Sequence, residues 1–307
     1  MTPSVLHSYI DRIAPDAKLL GRIAWFSVFD TVIAHDELLK LMSSAGVAKG
    51  FAPSKPADVD VFRRVTTAAQ SKRNENGDGT YSNVLVRDVA NDENKVLRRV
   101  VIETVDSRGQ RLDYYEAYDL AFDRGNQRLV TSRLGWRDTV ADLLVPDVVA
   151  AYNARRGTVN AEALRTLITK VFTAAHATGL RPTGAVYFTP AGQAHLIEGL
   201  ERLAEMIPTM TVHSLPLVDE DGRQTEMVRS ALIDESATEL DAMLAEGRRM
   251  LTDGVSVRRA ATLLARGKEL RAKAVAYSEL LDDNLLGMRN RLAMFDQQML
   301  AIMAKAT

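Results

Sequence analysis

The 307-residue sequence contains no cysteine. That excludes a disulfide framework, thiolate metal ligands and a thiol nucleophile, and it sets a reducing cytoplasm as the expected compartment. Net charge is also missing: 39 Lys and Arg stand against 40 Asp and Glu. No global field marks the chain for nucleic acid or an anionic membrane. No window of about eighteen apolar residues exists, so no membrane span is expected. The start, Met1-Thr2-Pro3-Ser4, lacks the basic segment and apolar core of a signal peptide. Gly77-Asp-Gly79 and Gly179-Leu-Arg-Pro-Thr-Gly184 are glycine-bearing loops, and neither has phosphate-loop or GxGxxG spacing. The GxSxG elbow and the kinase signatures are absent as well. The expectation is a protein without cofactor or metal and without a catalytic constellation.

What the chain does have is architecture. Hydrophobic residues make up 46% of it, enough for a packed core along most of its length. Four segments read as strands: Tyr81 to Val89, Val96 to Val105, Arg111 to Phe122 and Gln127 to Leu134. The connections between them are rich in Asn, Asp and Gly, which predicts an antiparallel meander. Lys72 to Thr80 reads as a polar loop leading into it. Helices are expected over Pro3 to Ile13, His35 to Ser44, Ala57 to Ser71, Asp138 to Arg155, Ala161 to Thr178 and Ala191 to Ile207. Strands are expected at Arg22 to Phe29, Ala185 to Thr189 and Met210 to Val218, the last two compatible with a crossover between parallel strands and equally with a winged or α+β module.

The C-terminal third is read as helical. Arg223 to Leu251 and Ser256 to Ala306 are separated by a short turn at Gly254, which sends the second helix back along the first. In the second helix, apolar residues fall at Leu270, Ala274, Tyr277, Leu281, Leu285, Met288, Leu292, Phe295, Met299 and Ile302, in steps of three and four. That is one face of a single rod of roughly 75 Å. It would overhang its mate by about twenty residues, from Asn284 on. Each large side chain there is worth about 1.5–3 kcal/mol on full burial, so the overhang calls for a partner. Leu281, Leu285, Met288, Leu292, Phe295, Met299 and Ile302 are therefore the expected helix-packing and self-association residues. The predicted fold is α+β. It has a body with the meander over 1–135 and a helix-strand-helix-strand module over 136–220. A long antiparallel helical hairpin, or coiled coil, follows over 221–307.

Three residue groups could carry chemistry. Arg258, Arg259, Arg266, Lys268, Arg271 and Lys273 gather at the hairpin tip with Glu269 as the only acid among them. They read either as a surface for nucleic acid or an acidic partner, or as a solvated face paired with Asp241, Glu239 or Glu246. Asp113 and Glu116, in the string Asp113-Tyr-Tyr-Glu116-Ala-Tyr118-Asp119, read as a divalent-metal site of a hydrolase or as strand carboxylates paired with Arg98 and Arg99. Glu93-Asn-Lys95 after Asp88 or Asp92 has the letters of a nuclease string but falls in a turn. The five histidines share no ligand spacing.

The stretch Pro56-Ala-Asp-Val-Asp-Val-Phe62-Arg63-Arg64-Val-Thr66, the strand pair around Val84 to Asp113, and Leu180-Arg181-Pro182-Thr183-Gly184-Ala-Val-Tyr187-Phe188-Thr-Pro190 occur in that order. Together they resemble a domain-of-unknown-function family found in actinobacterial phages and some other prokaryotes. The resemblance implies a phage or mobile-element setting, hence a host cytoplasm, and supplies no activity. The sequence thus points to a non-enzymatic assembly protein. It would form a homo-oligomer or bind another protein through its C-terminal helices. A nucleic-acid accessory role at the basic tip is the alternative.

Overall fold

The computed structural model describes residues 18–135, 139–181, 186–254 and 256–306. The helix expected over Pro3 to Ile13 lies outside the described residues. The contacts divide the chain into two units. One is Thr31–Leu38 with Pro53–Asn160. The other comprises the described residues of Met1–Asp30, Leu39–Ala52 and Ala161–Thr307.

The first unit is built on the meander. Strands β3 (Ser71–Glu75), β4 (Tyr81–Asn91), β5 (Lys95–Val105), β6 (Arg111–Asp123) and β7 (Arg128–Arg133) form one antiparallel sheet in chain order. Four of these match the expected strands closely. β3 corrects the polar-loop reading of Lys72 to Thr80. Its exposed Lys, Arg, Asn and Glu have no apolar alternation because it is a solvent-facing edge strand. Helices α2 (Asp58–Ala68) and α3 (Thr139–Arg155) share a core with the sheet. Phe122 is central to it, with the rings of Phe62 and Tyr152 at 6.0 and 6.5 Å. The opposite face is also partly closed, since the cross-strand neighbours Leu85 and Val101 are buried. A short antiparallel pair, β2 (Val32–Ala34) with β8 (Thr158–Asn160), completes this unit.

The second unit holds a four-stranded sheet in the order β11 (Met210–Asp219), β1 (Lys18–Val28), β10 (Val186–Pro190) and β9 (Thr178–Gly179). β1 pairs antiparallel with both β10 and β11. β10 and β11 are therefore parallel to each other but separated by β1, so the crossover through α5 (Ala194–Met206) skips one strand. β9 is a two-residue edge. α1 (His35–Ala45) and α4 (Ala161–Ala174) precede it in the chain. Gly21 lies where β1 meets Thr189: a Cβ there would sit 2.0 Å from the Thr189 carbonyl oxygen. Only glycine permits that approach.

The C-terminal helices are α6 (Arg223–Asp253), α7 (Val257–Leu281) and α8 (Leu286–Ala306). α6 starts on a cap borrowed from the preceding strand. The buried Asp219 carboxylate accepts the N–H of Gly222 at 2.9 Å and of Thr225 at 3.2 Å, and the Thr225 hydroxyl. Burial opposes its ionisation, but these donors outweigh it and hold the carboxyl below its usual range. The expected antiparallel pair is present as α6 and α7, with the turn at Gly254.

The single rod over Ser256 to Ala306 is corrected. It breaks at 282–285, and α8 folds back to pack against both α6 and α7. Asp282 and Leu285 take left-handed backbone conformations, with φ of 49° and 46°. The Asp283 and Asn284 side chains accept the N–H groups of Leu285 and Leu286 at 2.9 and 3.1 Å. Two short acceptors in succession stop one helix and start the next.

Candidate functional site

The break turns the supposed overhang into the third member of a bundle. Leu281, Leu285, Met288, Leu292, Phe295, Met299 and Ile302 are all buried, none more than 7% exposed, in one core with Leu232, Leu240, Met243, Leu263, Leu270 and Tyr277. Helix packing is what these residues do. Their apolar strip is covered within the chain.

A ladder fixes the position of α8. Arg291, Gln298 and Lys305 donate to the carbonyls of Ala237, Leu244 and Leu251, at 3.4, 3.0 and 3.2 Å. Donors and acceptors both advance by seven residues, so α8 runs parallel to α6 in heptad register. On the other flank Arg271 of α7 meets Asp296 at 2.5 Å. These contacts place α6 and α7 on the two sides of α8 and leave a third side outward.

That outward side carries Leu286, Asn290, Ala293, Gln297, Leu300 and Ala304, all exposed. Their spacing of 4, 3, 4, 3, 4 repeats the seam of a coiled coil. Leu286 is 60% and Leu300 69% exposed, with Met294 (60%) and Met303 (53%) beside the row. Between Asn290 and Ala304 the charged residues are Arg291 and Asp296, and both are drawn sideways, to Asp241 and Arg271. A helix face exposed to water normally alternates charges. This one is neutral for about four turns. The sequence signal was the seven-residue repeat Leu286, Ala293, Leu300, eclipsed by the stronger apolar row on the opposite side. Next to Leu286 opens a cleft of about 530 Å³ lined by Ile233, Ala237, Leu240, Leu286 and Met288.

The basic residues of the hairpin tip are not brought together. Arg266 lies between Glu239 (3.5 Å) and Glu246 (3.4 Å) of α6. Arg271 goes to Asp296. Lys273 is half-buried, donating to Glu235 at 2.5 Å and to the Ala177 carbonyl at 2.7 Å. Burial pushes its ammonium pKa down against the pull of Glu235. Among the described residues, Arg258, Arg259 and Lys268 have no carboxylate partner. They point about 80–180° apart around α7. The pairing of the tip with its own bundle accounts for half of the cluster.

Of the meander carboxylates, Glu116 and Asp119 are likewise engaged, while Asp113 pairs with neither Arg98 nor Arg99 and accepts the N–H of Tyr114. Arg99 binds Asp119 and Glu116, each at 2.7 Å. Arg98 binds Asp88 at 2.7 Å and reaches α2, donating to the Arg63 carbonyl (2.9 Å), Thr66 (2.7 Å) and Thr67 (2.8 Å). It clamps the end of α2 to the sheet. Asp113 and Glu116 oppose Thr104 and Val101, so they fall on opposite faces of the sheet and cannot share one ion. The nuclease-like string sits in the β4–β5 turn, where Asp92 accepts the N–H groups of Asn94 and Lys95. Among the described residues no three His, Asp or Glu side chains gather where they could hold a metal. No helix of the described residues is long and apolar enough to cross a membrane.

A second cleft, of about 860 Å³, lies between α4 and α7, lined by Arg165, Thr169, Lys170, His176, Lys268 and Glu269. His176 ends α4 with a φ of 53°, the position usually given to glycine. Burial first, and the Lys273 charge second, hold its imidazole below the ordinary histidine value.

No curated protein and no solved structure matches the chain. One family does, over residues 19–307, and its description is "Family of unknown function (DUF6744)". The match spans both units and the whole described bundle, and on that extent the chain belongs to the DUF6744 family.

Proposed function

We propose that this is a non-catalytic association protein whose C-terminal bundle presents the outward face of α8 to another protein surface. The observation that carries this is the heptad-spaced row from Leu286 to Ala304, which is neutral from Asn290 on. Large apolar residues are exposed elsewhere too, such as Phe29, Leu143 and Val257. Scattered singly they are ordinary; a contiguous row without charge is what marks an interaction surface. Leu286, Met294, Leu300 and Met303 would each contribute about 1.5–3 kcal/mol on full burial, of which more than half is unrealised in the isolated chain. The phage or mobile-element setting belongs to this proposal and is supported by the resemblance of the three stretches. The reducing cytoplasm is supported by the lack of cysteine.

Radical footprinting tests the reading. Met294, Leu300 and Met303 label readily in the isolated, dilute chain. They should be protected at least about fivefold in native complexes from the source cell. Equal labelling in both states would overturn it.

A further inference from the structure

The partner can be read from the face itself. Resting on the association reading above, we propose that α8 pairs with α8 of a second copy. The two helices run antiparallel, about a two-fold axis level with Phe295.

A two-fold contact must be compatible with its own surface. This row meets that demand, since its neutral residues bring no like charges together. Antiparallel pairing centred at residue 295 sets Leu286 against Ala304, Leu300 against Asn290 and Ala293 against Gln297. Large side chains then meet small ones along the row. Parallel pairing would stack Leu on Leu and leave gaps at Ala293 and Ala304, which packed interfaces do not tolerate. The charges at the ends choose the same direction. Parallel copies would bring Arg289 to Arg289 and Lys305 to Lys305. Antiparallel copies set Arg289 against Ala301 instead and bring the end of the second copy's α8 over the turn that holds the exposed Asp282, where Asp283 already pairs with Arg229 at 3.1 Å. Opposed helix dipoles act the same way. The row is about 27 Å long, one helix wide, short of the roughly 800 Å² per partner of a standard interface. The pairing is therefore reversible.

The cysteine-free chain makes the geometry testable with single substitutions at exposed positions. Ala304→Cys and Leu286→Cys chains are mixed at about 100 µM and mildly oxidised, above the micromolar range suited to a face this small. The mixture should give covalent dimer while neither variant alone does. In the antiparallel pair, like positions are about 27 Å apart. Adding Leu300→Glu to both should cut the yield about tenfold. Cross-linking of Ala304→Cys with itself would show a parallel pair and overturn the proposal. So would the absence of covalent dimer in the mixture. If dimer is absent while footprinting still shows α8 protected in native complexes, the second copy is wrong and the association face stands.

Discussion

Gly267 of α7 lies directly beneath the ring of Phe295 of α8: a Cβ built on it meets the ring Cε1 at 2.4 Å. Gly247 of α6 makes the same room for the Gln298 side chain, at 2.7 Å. Both glycines sit inside long helices, where glycine costs about 1 kcal/mol relative to alanine. The close approach of the third helix explains them.

Gly267→Ala tests that reading. Helix propensity alone says the variant is more stable by about 1 kcal/mol. The buried ring above it has no free space, and overpacking of this kind costs about 1–3 kcal/mol. The expected net result is a lower melting temperature. Gly287→Ala is the control: nothing lies within 4 Å of its Cβ position. It should be neutral or slightly stabilising in the same thermal scan.

His176 makes stability depend on pH. Its folded pKa lies below its unfolded value of about 6.5, so the unfolded chain binds the proton first as pH falls. Stability is complete above that value and declines as pH drops through it toward the folded pKa. Lys170, Lys268 and Glu269 face the same cleft, and Lys273 acts on the imidazole from the bundle. His176→Asn keeps a residue that tolerates positive φ and removes the titration. Urea unfolding between pH 8 and 5 should show a shallower decline for the variant. An identical slope in both proteins would remove His176 from the account.

Arg98 is the tie between α2 and the meander. Its side chain is 12% exposed and serves Asp88, the Arg63 carbonyl, Thr66 and Thr67. Arg98→Met keeps the stem and deletes the donors. A charged, largely buried bond of this type is worth about 1.5–3 kcal/mol, so a loss of about that size is expected in chemical denaturation. Arg111→Met, at an arginine 60% exposed, should leave the midpoint nearly unchanged.

Much of this fold was legible in the sequence. Tyr81 to Phe122 announced itself through β-favouring runs between Asx-rich turns, and the α6–α7 hairpin through Gly254. The Arg99 pairing followed from opposite charges on neighbouring strands. The break at 282–285 escaped because the apolar row keeps its 4, 3 stepping straight through it, from Leu281 to Leu285 to Met288. A turn of four residues preserves the face while reversing the chain. The local signal was Asp282-Asp283-Asn284, three poor helix formers that cap and turn well. The outward row on α8 was hidden for a related reason. Alanine, asparagine and glutamine say little in a sequence, and only the fold shows which side of the helix is left over. β3 has no apolar signature, because an exposed edge strand needs none.

The central claim is that the leftover side of α8 pairs with the same face of a second copy, and sedimentation equilibrium tests it most directly. The full chain should pass from monomer to dimer across about 1–200 µM, as suits a small interface. The double variant Leu286→Glu, Leu300→Glu should stay monomeric over the same range with an unchanged circular dichroism spectrum. Identical mass-against-concentration curves for the two proteins would contradict the account.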